Sequence, residues 1–171
     1  MKKSTQLKAA ALFTIAMLFS ALTFAQTKPI ASPRDSVSAK IGAATISINY
    51  GSPSVKGRKI FGELEPYGKV WRAGANEATV FTTSKDIMVE GKKLPAGTYS
   101  FFVIPTPTTW TVIFNKVAKQ WGAFKYDEAQ DALRVTVKPV KSAMNERLVY
   151  KINAKGFSLN WDTTSVPVSV K

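Results

Sequence analysis

Apolar and polar residues alternate one for one along much of this chain. Ile46, Ile48 and Tyr50 are interleaved with Thr45, Ser47 and Asn49. The same period recurs at Leu133, Val135 and Val137, at Leu148, Tyr150 and Ile152, at Phe157, Leu159 and Trp161, and at Val166, Val168 and Val170. Side chains two apart share one face of a strand, so these segments bury one face and wet the other. Tyr99–Ile104 (YSFFVI) is apolar on both faces and Trp110–Phe114 (WTVIF) nearly so, which predicts central strands covered from both sides. Thr106-Pro107-Thr108-Thr109 between them predicts a hairpin turn, and Glu90-Gly91-Lys92 a second turn. Lys116–Asp131 lacks alternation and predicts a short helix or an irregular excursion. About nine or ten short strands in one domain predict an all-β fold, a single-domain antiparallel β-sandwich, with a closed barrel as the alternative. Most strands are shorter than the roughly 9–11 residues that a membrane-spanning barrel requires.

The first residues follow a different pattern. Met1, Lys2, Lys3 and Lys8 make a cationic start, Ala9–Phe24 is largely apolar, and Thr23-Phe24-Ala25 places small residues where signal peptidase needs them. Residues 1–25 are therefore expected to be a signal peptide cleaved before Gln26, with a retained anchor as the alternative. Residues 26–33 would be a flexible leader and 34–171 the sandwich domain. This expectation places the protein in the periplasm or outside the cell. The chain has no cysteine, so neither a lipidated N-terminal cysteine nor a disulfide is available, and an exported domain must rely on its core. The expected signal peptide holds three lysines and no acid, so the chain from Gln26 has a net charge of +10 against +13 for the whole. That excess favours anions such as acidic glycans or lipid headgroups, or else is a solvated, lysine-rich surface. A nucleic-acid partner is not expected, and the oligomeric state is not legible.

Several chemistries are excluded outright. Without histidine or cysteine there is no Ser-His-Asp or Cys-His device, no His-based zinc site and no ordinary near-neutral proton shuttle. No lysine follows a serine at the S-x-x-K spacing. No cofactor and no metal site are expected. Asp127, Glu128 and Asp131 lack a calcium-loop pattern and read as a solvated acidic turn. Glu63 and Glu65, two apart, would share a face of an extended segment, but paired glutamates near a turn are ordinarily solvated.

The densest chemistry lies between Gly57 and Thr79 (GRKIFGELEPYGKVWRAGANEAT). Arg58, Tyr67, Trp71, Arg72, Asn76 and Glu77 sit there on a glycine-rich path. Arginine offers a planar donor fork for carboxylate or phosphate. Tryptophan offers a flat face for a sugar ring or a guanidinium group. The structural alternative is that Trp71 is core and Arg72 with Glu77 a loop-fixing ion pair. Lys69–Arg72 is expected to be a short strand. Trp110 and Trp161 fall on apolar faces and read as core, whereas Trp121, before Gly122 in the irregular segment, reads equally as groove lining or core.

The runs G-R-K-I-F-G at 57–62, P-Y-G-K-V-W-R-A-G-A-N-E-A-T at 66–79, G-K-K-L-P-A-G-T-Y-S at 91–100 and W-T-V-I-F-N at 110–115 carry a likeness. Through them the chain resembles the domain-of-unknown-function family numbered 2911, over essentially all of the chain from Gln26 on. The resemblance implies an exported single-domain protein of Bacteroidetes-type bacteria, and no activity or catalytic residue.

Three functional expectations follow. The first is a non-enzymatic binding or envelope module that holds an anionic or carbohydrate-like ligand at Arg58, Tyr67, Trp71, Arg72, Asn76 and Glu77. The second is a glycosidase-like hydrolase with Glu77 as its acid or base, which needs a second carboxylate roughly 5–10 Å away. The third is a purely structural domain.

Overall fold

The computed structural model describes residues 30–171, so the expected signal peptide and residues 26–29 of the leader lie outside the described residues. Ten strands follow in chain order: β1 (Arg34–Ile41), β2 (Ala44–Gly51), β3 (Thr79–Thr83), β4 (Ile87–Val89), β5 (Lys92–Leu94), β6 (Gly97–Ile104), β7 (Trp110–Asn115), β8 (Asp131–Val137), β9 (Val140–Asn153) and β10 (Gly156–Ser169). One layer is a six-stranded antiparallel sheet in the order β1-β2-β3-β6-β7-β8. The facing layer is built from the β9–β10 and β4–β5 hairpins. These are joined where Val89 bridges Val170 and where Met88 and Lys171 exchange backbone hydrogen bonds of 2.8 and 2.9 Å. The protein is an all-β sandwich.

The alternating segments meet between the layers. Ile46, Ile48 and Tyr50 face Leu148, Tyr150, Phe157 and Leu159, with Phe81, Phe101 and Phe114 among them, all buried in one core cluster. Burial of side chains of this size contributes about 1.5–3 kcal/mol each. β10 is longer than its pattern suggests because it folds back at Asp162 (φ 53°). Its second limb returns beside the first, so that Val170 N donates to Lys155 O (3.0 Å) and Ser165 Oγ to Asn160 Oδ1 (2.7 Å).

The double-sided apolarity of β6 and β7 has its counterpart in a second, smaller core. Phe102 and Ile113 point away from the main core and are covered by Ala78, Val70, Ala123 and Tyr126. Residues 116–126 thus form an irregular strap over the outer face of the large sheet. One turn of 3-10 helix (Glu128–Gln130), capped by Asp127, precedes β8. Buried Asn115 fixes the strap's base: its Nδ2 donates to Asp127 O (2.9 Å) and Asp131 Oδ1 (2.8 Å). Tyr126 closes the other end with a 2.6 Å bond from its hydroxyl to Asp131 Oδ2. These side-chain bonds hold the segment without strand alternation.

Lys69–Arg72 is not a strand. Only Trp71 bridges, to Val103, with bonds of 2.8 and 2.9 Å. β3 begins at Thr79 opposite Phe101, and Trp71 takes the place beside β6 two residues further along it, at Val103. The residues between them, 72–78, must therefore loop out.

Candidate functional site

That loop is held tightly from below. Trp71 is buried, with its ring stacked on Trp161 at 5.7 Å and edge-on to Trp110 and Phe61. Its indole N–H donates to Gly74 O (3.1 Å). The carbonyl of Ala73 accepts from both Tyr150 Oη (2.8 Å) and Thr79 Oγ1 (2.9 Å). A Cβ on Gly74 would lie 2.8 Å from Thr79 Oγ1 and 3.0 Å from Gly51 O, so only glycine permits this backbone approach. Ala73 and Asn76 take left-handed backbone angles (φ 53° and 65°), each costing on the order of 1 kcal/mol that the surrounding bonds must offset.

The six residues singled out between Gly57 and Thr79 occupy four different surroundings. Trp71 is core. Tyr67 is 42% exposed and lines a small cleft of roughly 240 Å³ with Thr106, Pro107 and Lys141. Arg58 donates to the backbone carbonyls of Val55 (3.0 Å) and Ser54 (2.6 Å). Arg58 and Arg72 both act on Glu65, whose carboxyl is pushed up to about 7 by burial, with Arg72 and then Arg58 pulling it down. Arg72 Nε is buried without a hydrogen-bond partner. Glu63, by contrast, is solvated and pairs with Lys59 at 3.0 Å. The influence of the two arginines on Glu65 has no signature in a linear reading, because burial, and not spacing, distinguishes it from Glu63.

Asn76 and Glu77 belong elsewhere, on the outer face of the large sheet. Here residues 76–78 run antiparallel to 120–122 of the strap. Gly122 N donates to Asn76 O (3.1 Å), Ala78 N donates to Gln120 O (2.9 Å), and Glu77 bridges Trp121. Asn76 Nδ2 also donates to Ser32 O (3.3 Å). Beside this pairing lies a groove of roughly 570 Å³ lined by Arg34, Asn49, Glu77, Lys119, Gln120 and Trp121, with Ala78 and Val80 as its floor. Arg34 of β1 hydrogen-bonds Asn49 of β2 and pairs with Glu77 at 3.6 Å. Both partners of that pair are substantially exposed, so it contributes at most about 1 kcal/mol to stability and is free to exchange partners with a ligand. Gln120 is pinned by bonds from Nε2 to Ser100 Oγ and Val117 O, both 3.0 Å. Trp121 is 61% exposed, whereas the other three tryptophans are at most 3% exposed.

The groove therefore joins one aromatic face to planar hydrogen-bonding groups of both polarities. Glu77 is the sole carboxylate among its lining residues. Among the described residues, no group of three or more His, Cys, Asp or Glu side chains is placed to hold a metal ion. No helix among them is long and apolar enough to cross a membrane.

A family model described as "Protein of unknown function (DUF2911)" matches residues 32–170. The chain belongs to the DUF2911 family. The match spans both layers of the sandwich, the Gly57–Thr79 path and the strap. Comparison with curated proteins and with solved structures gave no match.

Proposed function

We propose that this DUF2911 protein is an exported, non-enzymatic binding module whose outer-sheet groove receives an anionic, carbohydrate-like ligand. The observation that carries this reading is the exposed Trp121 ring set beside the Arg34–Glu77 pair, with Asn49, Gln120 and Lys119 around it. A sugar presents an apolar C–H face and a rim of hydroxyls. An indole takes the first, and paired carboxylate, amide and guanidinium groups take the second. Arg34 and Lys119 outnumber Glu77, so a ligand carboxylate or sulfate finds net positive charge. Of the six residues singled out in the sequence, Glu77 alone lines this groove, with Asn76 in the backbone pairing beside it; Arg34, Asn49, Lys119, Gln120 and Trp121 complete the lining. The cationic, then apolar start of the chain supports export.

Titration calorimetry with uronic-acid oligosaccharides and their neutral counterparts tests the reading. The acidic series should bind more tightly. Trp121→Ala and Arg34→Ala should each weaken binding about tenfold or more, equivalent to ~1.4 kcal/mol, while their unfolding midpoints match the parent. Equal binding by parent and both variants would place the ligand elsewhere.

A further inference from the structure

The strap extends past the groove: it shares Lys119, Gln120 and Trp121 with it and adds Val117, Phe124 and Lys125. Phe124 is 84% exposed and Val117 44% exposed. With Trp121 they form the rim of a shallow depression of roughly 360 Å³ lined also by Lys119, Gln120 and Lys125. The Phe124 ring belongs to neither hydrophobic core and lies over Gly122. Residues 116–126 carry three lysines, Lys116, Lys119 and Lys125, and no carboxylate. The base beneath is rigid, fixed by Asn115, Gln120 and Tyr126, so the rings are presented without an ordering cost on contact.

We infer that residues 116–125 seat the protein on an anionic lipid bilayer, with Phe124 and Trp121 entering the headgroup region and the lysines meeting lipid phosphates. Aromatic rings with a polar or flat edge favour that interfacial depth. Lysines beside them add attraction to a negatively charged leaflet, about fivefold in partitioning per charge. Lysines set among exposed apolar residues, with no acid between Lys116 and Tyr126, suit a surface that is apolar and anionic at once better than an apolar protein partner, which would leave the ammonium groups unmatched. This seating does not depend on the identity of the groove's ligand.

The molecule carries its own probe. Trp71, Trp110 and Trp161 are buried and Trp121 is not, so emission changes on contact report the strap, and residues 1–29 contain no tryptophan. Protein purified as the cell leaves it would be mixed with phosphatidylglycerol/phosphatidylcholine vesicles or with pure phosphatidylcholine vesicles. A blue shift and quenching by brominated lipid are expected with the anionic vesicles, weakened by salt and much smaller with the neutral ones. Phe124→Asp and the double change Lys119→Glu, Lys125→Glu should each lower vesicle partitioning at least tenfold. Arg34→Ala, which weakens the groove, should leave it unchanged. Absence of a shift, equal partitioning of all variants, or a shift that arises without lipid from dimers abolished by Phe124→Asp would overturn the inference.

Discussion

Replacing Glu65 by glutamine should make the protein more stable above neutral pH, although Glu65 lies near two arginines. Burial raises its carboxyl from 4.5 to about 7, and the attraction of Arg72 and Arg58 only partly offsets that. Between those two values the folded protein keeps a proton that the unfolded chain has released. This group's stabilising effect is therefore complete below pH 4.5 and is lost as pH rises through about 7. At about 1.4 kcal/mol per pH unit, the interval caps the loss at roughly 3 kcal/mol, and residual solvent access lowers it to about 1–2 kcal/mol. The chain has no histidine, so no other side chain with an ordinary pKa titrates inside this window. Urea unfolding at pH 5 and pH 8, at fixed salt, measures the effect. The parent should lose about 1–2 kcal/mol on going to pH 8, and Glu65→Gln should lose almost none. Arg72→Ala removes the larger opposing charge, so it should shift the parent's decline to higher pH. A parent that is as stable at pH 8 as at pH 5, or a glutamine variant with the parental slope, would show that Glu65 does not hold a proton in the folded state at neutral pH.

Other substitutions test the packing around the loop. Trp71→Ala removes a ring stacked within the aromatic cluster and should cost about 3–5 kcal/mol by denaturant unfolding, with far less effect expected from Trp121→Ala. Gly74→Ala forces a methyl group against Thr79 Oγ1 and the Gly51 carbonyl, for a loss of about 1–3 kcal/mol in the same assay. Tyr150→Phe removes one of two donors to Ala73 O and should cost about 1 kcal/mol. Arg34→Ala should change stability by no more than about 0.5 kcal/mol, because its ion pair is exposed.

The period-two segments were legible because their one-sided burial follows directly from strand geometry. Ile46 to Tyr50, Leu148 to Ile152 and Phe157 to Trp161 all turn the expected residues inward. The two-sided apolarity of β6 and β7 correctly implied cover on both faces, but not that the cover would be the irregular strap. That cover depends on Asn115 and Tyr126 meeting Asp131, a contact across sequence that no local pattern encodes. The density of polar and aromatic residues in Gly57–Thr79 suggested one convergent site. The fold instead divides them, because the chain crosses from the core at Trp71 to the outer face at Glu77 within six residues. Trp121 could be read as groove lining or core. Its partners Arg34 and Asn49, on the two strands at the β1 edge of the sheet, could not be found without the strand order.

Trp121 also provides the most direct test of the binding groove. In a two-dimensional ¹H–¹⁵N correlation spectrum, the indole N–H signals of the four tryptophans can be followed during titration with an acidic oligosaccharide. The Trp121 indole signal and the backbone signals of Glu77 and Gln120 should move together and saturate, while those of Trp71, Trp110 and Trp161 stay in place. Shifts confined to the Tyr67 cleft or to the surface around Glu65, with Trp121 unmoved, would contradict binding in the groove.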